Sequence, residues 1–258
     1  MHIRTKKWAR PELAECPFFT NGGEGYRNRW KERFSDPLRP LHLEMGCGKG
    51  VSTAKTVAAN PDINFVAADI NMDVLGDARR NMVRACGENP DNIFLLRTDI
   101  CRIDRTFGPE DSAERIYIHF CNPWTERPKH EKRRLTHPRQ LMQYRTFLTE
   151  EGEIWFKTDD DTLFLDSLVY FDQAGFSPRT LIWDLHASGF QPNEMSEHEI
   201  RYAQMGVPIK FGIFRKMPEE PSFDPVRYRL TPGVRRKVLE RLAAETGLFP
   251  TEKAEAES

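Results

Sequence analysis

Short apolar runs alternate with segments of helical periodicity along most of the chain. The runs are rich in β-branched and aromatic residues and lack a regular polar alternation, so they predict strands buried on both faces of a sheet. Seven such strands are predicted, at residues 41–45, 64–68, 93–96, 115–120, 153–157, 180–185 and 209–214. Their alternation with helices indicates an α/β fold with a mostly parallel sheet and helices on both faces.

Segments with helical periodicity lie between and after these strands. They predict helices at residues 51–59, 72–85, 138–148, 162–174 and 197–204. No strong helix follows the sixth strand before the segment 197–204, which leads into the seventh strand. This arrangement is consistent with a sheet that ends in an antiparallel pair.

The composition divides the chain into three parts. We predict a basic N-terminal lead-in, one α/β domain and a C-terminal extension, at residues 1–40, 41–217 and 218–258. In the extension, Thr231 and Pro232 suit the N-cap and first turn of a helix, and Gly247 suits its end. Residues 251–258 are predicted to be a disordered tail.

Composition and charge place the protein among ordinary globular proteins. It has 258 residues, of which 39% are hydrophobic and 30% charged. The polar N-terminus has no apolar secretory core and no apolar stretch is long enough for a membrane span, so we expect a cytoplasmic protein without a membrane partner. The five cysteines contain no Cys-x-x-Cys pair, and the histidines show no ligand spacing, so no metal site is expected.

A glycine-rich loop follows the first strand. Gly46 and Gly48 allow the chain to turn sharply and to approach a ligand at the carboxyl edge of the sheet, so both are candidate cofactor-binding residues. A dinucleotide-binding fingerprint would need a glycine at Val51, which disfavours a nicotinamide-dependent dehydrogenase. The carboxylate of Glu44 suits a cationic amino group better than a pyrophosphate.

Acidic residues also follow the second and third strands. Asp69 is placed to accept hydrogen bonds from ribose hydroxyls, and Asp99 is placed to read an adenine amino group. Either residue alone could be a helix cap. Together with Glu44, three acids at three consecutive strand ends predict a pocket for S-adenosylmethionine.

The fourth strand leads into an aromatic turn and then a basic stretch. Trp124 precedes a segment, 127–145, that holds seven Lys or Arg residues and one acid. An exposed tryptophan beside cations can stack on a base while the cations hold phosphates. A solvated basic loop with Trp124 folded into the core is the other possibility. The position of the turn, at a strand end beside the predicted pocket, favours the first.

Two further segments carry candidate substrate contacts. The fifth strand is followed by three aspartates, of which we expect Asp159 to face the site while the others cap the next helix. Ser196 and Glu199 have the spacing of a capping box, which would fix the direction of Glu197.

The combination of these motifs resembles the bacterial tRNA (guanine-N7-)-methyltransferase family. The resemblance spans about residues 3–215 and includes 4–9, 44–50, 122–124, 130–135, 156–159 and 196–199. It implies a Rossmann-like class I methyltransferase with a seven-stranded sheet, which uses S-adenosylmethionine to modify a guanosine in the tRNA variable loop. Family positions that match Glu44, Asp69 and Asp99 contact the cofactor. Positions that contact the guanosine match Asp159, Ser196, Glu197, His198 and Glu199.

The chain departs from the family pattern at the turn after the fourth strand. The family usually has Asp-Pro-Trp-Pro-Lys-Lys there, and its aspartate is regarded as catalytic. This chain has Asn122 at that position, with one extra residue before His130. Asn122 is therefore the candidate catalytic residue and a candidate cofactor contact. Lys129 is the candidate for the substrate-binding lysine, with Arg127 as the alternative.

The asparagine leaves two functions open. Guanine N7 carries a lone pair and no proton, so its methylation needs no general base, and an asparagine can still orient the cofactor or the base. We therefore expect an active enzyme that acts on tRNA as a monomer or homodimer. The alternative is a non-catalytic protein that binds S-adenosylmethionine and tRNA.

Overall fold

The computed structural model describes residues 5–125, 128–221 and 223–247, without the side chains of residues 128 and 129. Eight strands and eight α-helices form these parts of the chain. In chain order they are α1 (Ala9–Ala14), β1 (Phe19–Asn21), β2 (Leu41–Met45), α2 (Val51–Ala59), β3 (Asn64–Asp69), α3 (Met72–Cys86), β4 (Ile93–Arg97), β5 (Ala113–His119), α4 (Pro138–Phe147), β6 (Leu148–Thr158), α5 (Asp161–Gln173), β7 (Phe176–Ile182), α6 (Leu185–Ser188), α7 (Glu197–Gln204), β8 (Lys210–Lys216) and α8 (Pro232–Thr246).

The strands form a single mixed sheet in the order β1-β4-β3-β2-β5-β6-β8-β7. Strand β8 runs antiparallel to both β6 and β7, and the other neighbours are parallel. The prediction of a mostly parallel α/β sheet that ends in an antiparallel pair is confirmed. Because β2, β3 and β4 are adjacent and parallel, the residues that follow them lie along one edge of the sheet.

The sheet has one strand more than the sequence predicted. Strand β1 has only three residues and pairs with β4, with Phe19 opposite Leu95. A segment this short cannot show a periodic pattern, so the sequence did not predict it. The remaining seven strands fall where they were expected, with ends shifted by a few residues.

The segment before β2 contributes to the core. Trp30 is fully buried and stacks on Phe107 with ring centroids 5.2 Å apart. Its indole N–H donates to the carbonyl of Thr106 at 2.9 Å, and its backbone N–H donates to Asp111 at 3.0 Å. The indole N–H and the backbone N–H of Trp30 are therefore both satisfied, and its ring fixes the segment against the connection between β4 and β5.

Helix caps agree with the sequence. The side chain of Asp160 accepts from the backbone N–H of Leu163 at 2.6 Å and begins α5. Thr231 caps α8, and Gly247 ends that helix in the left-handed conformation with φ of 59°. The predicted tail, 251–258, lies outside the described residues.

Candidate functional site

The glycine loop between β2 and α2 is shaped by three positive φ angles. Gly46, Gly48 and Gly50 have φ values of 86°, 54° and 63°, which favour glycine. A Cβ at Gly50 would lie 3.0 Å from the Cβ of Ala78 on α3. A Cβ at Gly48 would meet no described atom within 4 Å. Gly50 thus packs the loop against the protein, while Gly48 borders open space that a ligand can approach.

Glu44 is a buried carboxylate at the end of β2. Its Oε2 accepts a 2.5 Å hydrogen bond from the hydroxyl of Thr53, and burial raises the pKa of Glu44 to about 7. Among the described residues, its ion-pair neighbour is His119, with Nδ1 3.9 Å from Oε1. Burial lowers the pKa of His119 well below its usual range, so that ring is neutral. Glu44 therefore fits a ligand that brings a positive charge.

The other two predicted cofactor acids lie on the same edge of the sheet. Asp69 ends β3, where Oδ2 accepts the backbone N–H of Gly48 at 3.0 Å and Oδ1 accepts that of Asn71 at 2.9 Å. Desolvation raises the pKa of Asp69. Asp99 is exposed and accepts the backbone N–H of Cys101 at 3.0 Å. Each carboxylate thus fixes a turn and borders the glycine-loop edge.

Asn122 lies on a strained turn after β5. Its Oδ1 accepts the backbone N–H of Trp124 at 2.9 Å. Phe120 and Trp124 have φ values of 52° and 50°, an uncommon conformation that costs roughly 1–3 kcal/mol per non-glycine residue. The Trp124 ring is half-buried and lies 5.2 Å from the Arg133 guanidinium. Trp124 therefore does not belong to the core, and its ring lies beside a cation of the basic stretch.

The basic stretch divides into exposed and structural residues. Arg134 is buried, donating from Nε to the carbonyl of Pro123 at 2.6 Å and pairing with Asp166 at 2.8 Å. Arg134 therefore supports the Asn122 turn from inside the protein rather than facing solvent. Lys132, Arg133 and Arg139 are exposed. Residue Arg127 and the side chain of Lys129 lie outside the part of the chain that the structure describes.

Helix α7 brings substrate candidates to the same edge. Nε2 of His198 lies 3.1 Å from Oδ1 of Asp159, and this hydrogen bond lowers the pKa of Asp159. The His198 ring also contacts the Phe120 ring, with centroids 4.8 Å apart. Glu197 pairs with Lys49 of the glycine loop at 2.6 Å. The glycine loop, the ends of β5 and β6, and α7 therefore meet in one place.

Ser196 and Glu199 behave differently from each other. The hydroxyl of Ser196 accepts the backbone N–H of Glu199 at 3.1 Å, so Ser196 is the N-cap of α7. Glu199 is fully buried, and its carboxylate accepts from Lys157 at 3.2 Å and from Asn193 at 2.8 Å. In a complete capping box the Glu199 carboxylate would accept the backbone N–H of Ser196. Here it forms a buried ion pair with Lys157 instead. The sequence alone did not indicate this role of Lys157, although a lysine inside a buried strand was a signal for a buried partner.

Two features are absent from the part of the chain that the structure describes. In the described ranges, no group of three His, Cys, Asp or Glu residues is arranged to hold a metal ion. The helices described here are all too short or too polar to cross a membrane.

Comparisons with known proteins identify the family. The profile of a family described as "Putative methyltransferase" matches residues 38–211. A tRNA (guanine-N(7)-)-methyltransferase of Clostridium beijerinckii is 49% identical over 219 residues, covering 84% of this chain and 99% of the relative. One of Clostridium perfringens is 46% identical, covering 84% and 100%.

A solved structure agrees at the level of the fold. The 16S rRNA methyltransferase KamB is 11% identical, covers 73% of this chain and 91% of its own, and has a TM-score of 0.50. At this identity the likeness concerns the fold alone, which is that of a class I methyltransferase. Because the sequence relatives are far more similar and are covered almost completely, the chain belongs to the tRNA (guanine-N(7)-)-methyltransferase family.

Proposed function

We propose that this protein transfers a methyl group from S-adenosylmethionine to N7 of a guanosine in the variable loop of tRNA. The observation that carries the proposal is the junction of the glycine loop with α7, made by the 2.6 Å pair between Lys49 and Glu197. This pair brings the glycine loop, which lies beside the buried Glu44, next to the carboxylates of Asp159 and Glu197. The relatives act on tRNA guanine by name.

The residues on the glycine-loop edge suit the proposed cofactor. The buried Glu44, with a pKa of about 7, would accept the ammonium of the methionine moiety and gain a compensating charge. Asp69 retains lone pairs for ribose hydroxyls, and Asp99 would accept from the adenine amino group. S-adenosylmethionine supplies an electrophilic methyl group on a sulfonium that needs no activation by acid.

The substrate side needs placement and negative charge rather than a base. Guanine N7 has an in-plane lone pair and no proton, so the protein must hold N7 in line with the methyl group. Methylation leaves positive charge on the purine, which nearby carboxylates stabilise. Asp159, whose pKa is lowered by His198, is ionised at neutral pH. Glu197 provides a second carboxylate at the same junction.

Asn122 can hold the turn and the reacting groups in place without acting as an acid or a base. Its Oδ1 accepts the Trp124 N–H and can accept a further hydrogen bond from an amino group of the cofactor or the base. We assign Asn122 to orientation of the reacting groups. The non-catalytic alternative depends on Asn122 alone, and an asparagine does not block a reaction that requires no general base.

The partner surface combines a ring with cations. Trp124 is half-buried, and the exposed Lys132 and Arg133 follow it in the chain. A ring that contacts a base beside cations that contact phosphates suits a folded RNA loop. Lys129 stays a candidate for the same surface.

The experiment is transfer of labelled methyl from S-adenosylmethionine to unmodified tRNA, followed by nuclease digestion and nucleoside analysis. We expect the label in 7-methylguanosine. Label in another nucleoside would contradict the assigned position. No transfer, with both cofactor and tRNA bound, would contradict catalysis and support a binding protein.

A further inference from the structure

Helix α8 belongs to an extension to which the family match gives no role. The family profile ends at residue 211, well before α8. The helix packs against α5 and buries Val238 and Leu242. The buried Arg145 holds the chain that leads to it, donating to the carbonyl of Met217 at 3.0 Å. The extension is therefore anchored to the domain at a defined place.

One carboxylate under α8 holds two arginines. Asp166 lies on α5, and its Oδ1 accepts from Nε of Arg235 on α8 at 3.0 Å. Its Oδ2 accepts from the Arg134 guanidinium at 2.8 Å. Because each oxygen is held by a different arginine, the carboxylate is fixed in rotation as well as in position.

The second arginine leads to the Asn122 turn. Nε of Arg134 donates to the carbonyl of Pro123 at 2.6 Å, one residue after Asn122. Three hydrogen bonds in series thus connect α8 to the turn, from Arg235 through Asp166 and Arg134 to Pro123. The turn contains two residues in the left-handed conformation, so it depends on its surroundings to keep its shape.

We propose that Arg235 is a positioning residue for the Asn122 turn. It acts through Asp166 and Arg134, so the C-terminal extension helps to preorganise the site that it does not touch. The kinetic part of this inference rests on the proposed methyl transfer. A displacement of about 1 Å in a reacting group can reduce turnover about a hundredfold, so a small loosening of the turn is measurable.

The same helix offers a matched control. Arg241 also pairs with an aspartate of α5, Asp172, at 2.5 Å. Asp172 lies outside the series of bonds that leads to Pro123. Arg235→Ala and Arg241→Ala each remove one arginine–aspartate pair between α8 and α5, but only Arg235→Ala releases the carboxylate that holds Arg134. Arg235→Lys keeps the positive charge but lacks the planar guanidinium, so this variant should restore the function only in part.

The first readout is backbone hydrogen exchange of the turn, which does not require activity. The amide of Trp124, which donates to Asn122, should exchange about fivefold faster or more in Arg235→Ala than in the wild type. In Arg241→Ala it should exchange at the wild-type rate. Unchanged exchange in Arg235→Ala, or an equal increase in both variants, would overturn the proposal.

The second readout is steady-state methyl transfer to tRNA. Arg235→Ala should lower kcat about tenfold and change KM for S-adenosylmethionine by a much smaller factor, because Glu44 and the glycine loop are untouched. Arg241→Ala should keep the wild-type kcat, and Arg235→Lys should recover part of the loss. Equal kcat in Arg235→Ala and Arg241→Ala would overturn the positioning role. If the wild type transfers no methyl group, the proposed function fails, and hydrogen exchange alone decides the role of Arg235.

Discussion

The ammonium of Lys157 lies 3.2 Å from the carboxylate of Glu199, and the side chains are only 5% and 1% exposed. Burial lowers the pKa of Lys157, and the negative charge of Glu199 opposes that shift. The pair connects β6 to the first turn of α7, which carries Glu197 and His198. The orientation of the proposed substrate helix therefore depends on a buried ion pair beneath it, and we assign Glu199 to positioning.

Breaking this pair should be costly. Lys157→Met leaves the carboxylate of Glu199 buried without its ammonium, and we expect a loss of about 3–5 kcal/mol in the free energy of unfolding. Replacing both residues, Lys157→Met with Glu199→Leu, should recover at least half of that loss, because the double variant no longer buries the Glu199 charge without its partner. Denaturant unfolding of the two variants measures the difference. Additive losses in the double variant would contradict the coupling.

Glu44 should make cofactor binding depend on pH. Its pKa of about 7 means that the carboxylate is mostly protonated at pH 6 and mostly ionised above pH 7.5. An ammonium requires the ionised form, so affinity for S-adenosylmethionine should rise roughly tenfold from pH 6 to pH 7.5. Calorimetric titration measures this. Glu44→Gln should bind weakly with a flat profile, and an equally steep profile in that variant would contradict the assignment.

The same group should reduce stability at high pH. Because folding raises the pKa of Glu44 above its ordinary 4.5, the folded state binds more protons between about pH 4.5 and 7, and stability falls as pH rises through this range. Glu44→Gln removes the cost of burying the charge. In denaturant unfolding at pH 8 without cofactor, the free energy of unfolding of this variant should exceed that of the wild type by up to about 3 kcal/mol. Lower stability at pH 8 would be inconsistent with a carboxylate whose charged form is destabilised by burial.

Asn122 should tolerate an isosteric acid better than truncation. Asn122→Asp preserves the acceptor for the Trp124 N–H, so it should retain or raise turnover. Asn122→Ala removes the acceptor and should lower kcat about ten- to hundredfold, because the turn loosens. Initial rates of methyl transfer distinguish the two. A loss of more than about a hundredfold in Asn122→Asp would show that the amide itself is required.

Arg133 should contribute to tRNA binding, whereas its neighbour Arg134 should contribute to stability. Arg133 is exposed, so Arg133→Ala should weaken tRNA binding and reduce its salt dependence by about one phosphate contact. Arg134 is buried, so Arg134→Ala should lower the free energy of unfolding by about 3–5 kcal/mol. Binding at several salt concentrations and denaturant unfolding separate these effects. Equal effects of the two variants on stability would contradict the burial of Arg134.

How much of the structure could be predicted from the sequence depends on how far apart in the chain the interacting residues lie. Strands β2 to β8 and the cap at Thr231 were predictable because burial and capping leave local patterns. The direction of Glu199 was not, because its partner Lys157 is 42 residues away in the chain. Likewise, a run of charges does not reveal that Arg134 turns inward while Arg133 faces solvent. The Lys49–Glu197 pair, 148 residues apart, required the folded structure.

The most direct test of the account is methyl transfer to two tRNA transcripts that differ only in guanine N7. One contains guanosine at the variable-loop position, and the other contains 7-deazaguanosine, in which a carbon replaces N7. We predict that the wild-type protein converts the first to 7-methylguanosine and does not label the second. Equal labelling of both transcripts, or no labelling of the first while cofactor and tRNA bind, would contradict it.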